Sequence, residues 1–146
     1  MSDLRDYNFW AETTMTNDIR WQQRFQNYEK AFLLLERALT IVTPSEVERG
    51  GIIQFYEMAF ELAWKLMKDY LEHLGYTANS PRDAIKQAFQ VGILDDGQLW
   101  MDALSDRNLM THTYDENKAI AVVAKIRTSY FPALQQLHRS LSSELD

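Results

Sequence analysis

Residues 52–74 read "IIQFYEMAFELAWKLMKDYLEHL", with neither proline nor glycine. Ile53, Tyr56, Phe60, Ala63, Met67, Tyr70 and Leu74 recur at steps of three and four, which puts them on one stripe of an α-helix. A second stripe beside it carries Phe55, Ala59, Leu62 and Leu66, with Trp64 next to it. Apolar coverage this wide implies a helix buried on two sides, because contact with one neighbour hides only a narrow band. One side faces a bundle core. The other faces further core or a second copy of the chain, and the reading leans to a homodimer.

The flanking segments repeat the helical pattern. "TPSE" predicts the start of this helix, with Thr43 as N-cap, Pro44 at the first helical position and Glu46 closing a capping box. Gly75 marks its end, and Gly50 and Gly51 weaken its first turns. Upstream, Trp21, Phe25, Tyr28, Phe32, Leu35, Leu39 and Val42 form the face of a first helix. Downstream, Ser80 caps a short helix that Gly92 ends, and Asp95 or Asp96 caps a fourth that is expected to run through His112. Asp115 caps a fifth, in which Pro132 should kink or loosen a turn. No strand-like alternation, repeat or low-complexity tract is present. The expected fold is all-α: an up-down four-helix bundle with one additional short helix, formed by residues 17–146. Residues 1–16 are expected to be an arm or partly disordered.

Composition narrows the function. With 46% hydrophobic residues in 146, one ordinary core can form. The chain has no cysteine, which removes disulfides, thiolate nucleophiles and Cys-ligated zinc. A formal net charge of -6 argues against generic nucleic-acid binding, so any RNA contact needs a local basic patch. "MSDLRDYNFW" lacks the basic start and apolar run of a signal peptide, and no apolar stretch approaches the roughly 20 residues of a membrane span. A cytoplasmic protein without membrane contact is expected.

The anomaly lies in "SDRNLMTHTYDE", residues 105–116. Trp100, Ala103, Arg107, Met110 and Tyr114 follow helical steps, which puts Arg107 on an apolar stripe. A guanidinium there needs an anion, an interface or water. A salt bridge to Asp102 or Asp106 is one explanation, and a phosphate-binding arginine is the other, because its planar fork matches phosphate oxygens. His112 follows five residues later, about 140° around an ideal helix, so the two would not share a face of one helix. Asn108, one turn before His112, is better placed to orient it. For His112 alone, capping or partial burial is the alternative to catalysis. His73 and His138 read as surface or helix-end residues. Glu57, Glu61 and Lys65 read as a solvated ladder, or as the lining of a polar cleft. "DDGQ" at 95–98 reads as a turn and cap rather than a calcium loop, and His112 with Asp115 gives too few ligands for a metal. No cofactor or metal is expected.

The spacing Arg107, four residues, His112, one residue, Tyr114, preceded by "FYEMAFELAWKLMKDYLEHLG" and "SPRDAIKQAFQVGILDDGQLWMDAL", resembles the HEPN superfamily. More narrowly it is similar to the nucleotidyltransferase substrate-binding, or HepT-like, family. The likeness runs from about Trp21 to Leu137. It implies a helical bundle that homodimerises and pairs with a separate minimal nucleotidyltransferase chain. It also implies a metal-independent endoribonuclease toxin acting on RNA, with Arg107 and His112 as the catalytic pair and Asn108 as the polar residue after the arginine. Tyr114 corresponds to the tyrosine that the partner modifies with AMP. A non-catalytic subunit that presents a substrate to the nucleotidyltransferase is the alternative, and a purely structural helical adaptor is a third.

Overall fold

The computed structural model describes residues 2–107 and 109–145, with backbone alone for residues 2–15 and 109. Every regular element among the described residues is helical. The order is α1 (Ser2–Ala38), α2 (Glu46–His73), α3 (Pro81–Gln90), α4 (Gly97–Asp106), a 3-10 turn (Leu109–His112), α5 (Glu116–Lys125), a π turn (Ile126–Tyr130) and α6 (Phe131–Ser142). The backbone stays right-handed helical at both junctions of the π turn, so α5, the turn and α6 make one long rod. The architecture is the expected all-α bundle. Residues 2–16, read from sequence as an arm, lie on the same helix as residues 17–38. No helix among the described residues is long and apolar enough to cross a membrane.

α2 is the central element and packs against α1, α3, α5 and α6. Its main stripe from Ile53 to Tyr70 is buried, and Phe55, Leu62 and Trp64 pack partly buried against the same core. The two stripes are therefore largely covered within one chain, while Met58 and Leu74 stay exposed. α1 contributes Trp21, Phe25, Tyr28, Phe32 and Leu35 as expected, but it ends at Ala38, and Val42 lies in solvent. The Tyr28 hydroxyl donates to the Leu134 carbonyl at 2.7 Å, fixing α1 on α6. Arg127 donates to the carbonyls of Leu39 and Ile41, groups just beyond the α1 terminus that would otherwise lack helical partners. The buried Asp69 accepts from Arg24 at 2.9 Å and ties α2 back to α1.

Two boundaries differ from the sequence reading. The N-cap of α2 is Ser45, not Thr43, and its capping box closes on Glu48 rather than Glu46. Pro44 is thereby outside the helix, where its carbonyl accepts from Arg49 at 3.0 Å. The fourth helix stops at Asp106 instead of running through His112, which makes α4 no longer than α3. His138 is also more than a surface residue. It stacks on Phe32 with centroids 4.8 Å apart and pairs with Glu29 at 2.8 Å.

Pro132 loosens a turn as its chemistry requires. It has no N–H to give the carbonyl four residues back. The preceding turn widens to π geometry, and the Phe131 N–H bonds the Ile126 carbonyl five residues back. Tyr130, the last residue of that wide turn, donates its hydroxyl to Asp106 in a short hydrogen bond. Pro132 and the end of α4 are linked through this contact.

Candidate active site

The residues between α4 and α5 form the candidate site. Asp96 caps α4 by accepting from the Leu99 N–H at 3.1 Å, and Trp100 and Ala103 bury its inner face. At Asp106 the side chain turns to Tyr130, and Arg107 becomes the C-cap residue with its N–H on the Ala103 carbonyl. The chain tightens into the 3-10 turn, pinned by the buried Met110, whose N–H donates to the Arg107 carbonyl at 3.3 Å. Asp115 then restarts the helix by accepting from the Lys118 N–H. Arg107, His112 and Tyr114, singled out from sequence, thus fall on or beside a helix break. The ideal-helix angle between Arg107 and His112 does not apply, because no continuous helix joins them.

Arg107 lines a cleft of about 330 Å³ together with Tyr56, Glu57, Phe60 and Glu61 of α2 and Met110 and Thr111 of the 3-10 turn. Its Nη1 donates to Glu61 Oε1 at 2.9 Å, across 46 positions of sequence. The ion-pair partner is therefore Glu61, not Asp102 or Asp106. The second carboxylate oxygen of Glu61 accepts from the Trp64 indole N–H at 2.9 Å, so Glu61 is itself held in place. The ladder of Glu57 and Glu61 is the wall of a cleft, which was the second of its two sequence readings.

Desolvation acts on groups in and beside the cleft. Desolvation raises the pKa of the Glu57 carboxyl. Tyr56 is 1% exposed, and its hydroxyl has no hydrogen-bond partner among the described residues. Burial pushes that phenol well up, and the nearby Tyr130, Asp106 and Glu57 push it further. Tyr130 is raised first by burial and then by its hydrogen bond to Asp106.

His112 is the last residue of the 3-10 turn, exposed, and absent from the residues that line the Arg107 cleft. Its ring meets Tyr114 edge-on, with centroids 6.0 Å apart. Tyr114 is 82% exposed, so it is not a core tyrosine within the chain. Asn108 lies outside the described residues. One chain therefore groups Arg107 with Glu61 and, separately, His112 with Tyr114. Among the described residues no group of three or more histidine or acidic side chains is arranged to hold a metal ion.

Residues 23–143 match the family described as "Nucleotidyltransferase substrate binding protein like". The chain belongs to this HepT-like family. Its fold is similar to that of a Haemophilus influenzae protein whose structure is described as the fold of a substrate binding domain of a nucleotidyltransferase. The two share 26% identity, with a TM-score of 0.74, over 81% of this chain and 98% of that one. A Thermus thermophilus protein of known crystal structure is 33% identical, with a TM-score of 0.68, over 80% of this chain and 97% of the other. The chain is also 33% identical over 82 residues to a Haemophilus influenzae protein named probable ribonuclease HepT. That match takes in 53% of this HepT-like chain and 56% of the relative, so it spans little more than half of either. Sequence reasoning singled out Arg107, His112 and Tyr114 as candidates but not the contacts of Glu61 and Trp64. Their spacing of three on one helix face was visible, whereas the contact of Glu61 with Arg107 was not.

Proposed function

We infer that the protein is a HEPN-type toxin: a metal-independent endoribonuclease controlled by a cognate nucleotidyltransferase that adenylylates it. The observation that carries this reading is an arginine fixed at the mouth of a cleft by Glu61, five residues before an exposed histidine. Arg107 binds the scissile phosphate and stabilises its developing charge. The ribose 2′-oxygen bonds to phosphorus, the phosphorus bond to the 5′-oxygen breaks, one imidazole takes the 2′-hydroxyl proton and another protonates the leaving oxygen. Since Arg107 and His112 do not line the same cleft of one chain, the reading uses a homodimer, in which two copies of the α4–α5 junction complete one site.

Tyr114 fits the control step. Its exposed phenol can attack the α-phosphorus of ATP held by the partner, releasing pyrophosphate and leaving AMP on the oxygen. The added negative charge and bulk, two residues from His112, would compete with RNA for Arg107. The second reading, a non-catalytic subunit presenting a substrate to the nucleotidyltransferase, is favoured by the net charge of -6 and by the acidic lining of the cleft.

The test is RNA cleavage by wild-type and His112→Ala protein, purified alone and assayed with EDTA. The toxin reading expects cleavage in EDTA that His112→Ala loses. Equal cleavage by a folded His112→Ala preparation refutes the catalytic assignment, and no cleavage by wild type favours the subunit reading. Co-expression with the nucleotidyltransferase and ATP should add adenylyl mass to wild type and none to Tyr114→Phe.

A further inference from the structure

We propose that the cleft between α2 and the 3-10 turn is a base-reading pocket, in which Glu57 accepts N–H donors from a nucleobase whose phosphate lies on Arg107, with guanine preferred. This rests on the ribonuclease reading and adds a substrate preference to it.

The lining is wrong for a bare phosphate. Glu61 is neutralised by Arg107 and oriented by Trp64, which leaves the Glu57 carboxylate as the cleft's uncompensated formal charge. A free anion would meet that charge within the same small volume. A ligand carrying an acceptor phosphate and a donor edge would satisfy both ends. The edge of the Arg107 guanidinium opposite Nη1 has no partner among the described residues and offers the phosphate its donors. Glu57 likewise has no hydrogen-bond partner among the described residues, and it is exposed, so its carboxylate is open to donors from a ligand. The Tyr56 hydroxyl, buried and unpartnered, is an unsatisfied polar group on the same lining. The same lining includes the side chains of Phe60 and Met110, an apolar surface suited to the face of a base. The volume of about 330 Å³ is at the small end of ligand pockets, which run from roughly 300 to 1,000 Å³. It fits one base rather than a stack of them.

Base chemistry then sets the order. A carboxylate accepts only. Guanine offers two adjacent donors, N1–H and the 2-amino group, so both oxygens of Glu57 are used. Adenine and cytosine offer one amino group each beside a ring acceptor. Uracil offers one N–H between two carbonyls that repel a carboxylate. A bidentate pair of this kind discriminates on the order of tenfold or more.

The experiment measures binding by fluorescence anisotropy of labelled oligonucleotides with 2′-O-methyl ribose, which resist cleavage. They carry a single guest G, A, C or U in a constant sequence, and the full chain is titrated as wild type, Glu57→Gln and Arg107→Ala. Wild type should bind the guanine guest about tenfold more tightly than the uracil guest, and Glu57→Gln should bring the four guests within about twofold of one another. Arg107→Ala should weaken all four together. Circular dichroism confirms that each variant is folded. Equal affinity of wild type for all four guests, or an unchanged guanine preference in Glu57→Gln, overturns the base pocket and leaves the ribonuclease reading intact if Arg107→Ala still loses cleavage. No binding of any guest by wild type, together with no cleavage, overturns both.

Discussion

Replacing Arg107 by alanine should abolish RNA cleavage and leave the fold almost untouched. The structure sets the size of the second effect. The Arg107 and Glu61 side chains are 41% and 44% exposed, so their 2.9 Å contact is a surface ion pair despite its good distance. Pairs of this kind contribute about 0–1 kcal/mol. The backbone at Arg107 is ordinary right-handed helix, with φ -59 and ψ -25, which alanine adopts without strain. Unfolding entropy is about 2.1 cal/mol/K per residue, or about 0.3 kcal/mol/K for 146 residues, so a loss of 1 kcal/mol lowers Tm by about 3 °C. Thermal melts followed by far-ultraviolet circular dichroism, run beside a cleavage assay, measure both effects on one preparation. A fall in Tm of about 6 °C or more would mean that Arg107 is chiefly structural, twice what a surface pair can account for. Undiminished cleavage would remove it from the chemistry.

Two buried tyrosines make a paired test. Tyr28→Phe should cost about 1 kcal/mol in urea unfolding because its hydroxyl bonds the Leu134 carbonyl, whereas Tyr56→Phe should cost nothing or stabilise, because its hydroxyl is buried without a partner. Equal losses in the two variants would show that the Tyr56 hydroxyl is satisfied. Gly50→Ala should gain about 0.5–1 kcal/mol, since a Cβ there meets nothing within 4 Å in a regular helix, while Gly75→Ala should lose stability at its φ of +96. A loss at Gly50 would contradict the first half. Burial raises the phenols of Tyr28 and Tyr56, so their contribution is complete below the ordinary tyrosine value near 10 and declines as pH rises from there toward the folded values. Urea unfolding at stepped alkaline pH should show stability falling by up to about 1.4 kcal/mol per pH unit for each phenol, and flat stability above pH 10 would refute the sign.

The features legible in the sequence are those fixed by neighbours along the chain. Ser80, Asp96 and Asp115 each cap a helix through the third residue on, and Gly75 and Gly92 take the positive φ that ends α2 and α3. The buried stripe of α2 needs only the helical period. Where two local solutions compete, sequence cannot choose. Thr43 with Glu46 and Ser45 with Glu48 both satisfy the capping-box spacing, and the Arg49 contact to the Pro44 carbonyl accompanies the second. Arg107, His112 and Tyr114 were legible as a motif, but the partners of Arg107 and of its neighbour Asp106 come from distant turns. Arg107 meets Glu61 from 46 positions away, and Asp106 meets Tyr130 from 24.

The end of α4 shows how these distant contacts place the site. No glycine or proline marks the stop, and helical spacing alone carries the pattern on through Met110 to Tyr114. The stop coincides with a side-chain contact made at the far end of the chain. Pro132 removes one backbone donor, the turn before it widens, and Tyr130 comes to lie where its hydroxyl reaches Asp106. Asp106 is the last residue of α4, so Arg107 leaves the helix and enters the cleft wall rather than continuing along the Trp100 stripe. Met110 stays buried and pulls the 3-10 turn back to the core, which leaves His112 and Tyr114 outside it. An arginine in an apolar pattern is therefore tolerated because the helix ends one residue before it, and the residue that ends the helix is held by a proline-widened turn 24 positions later.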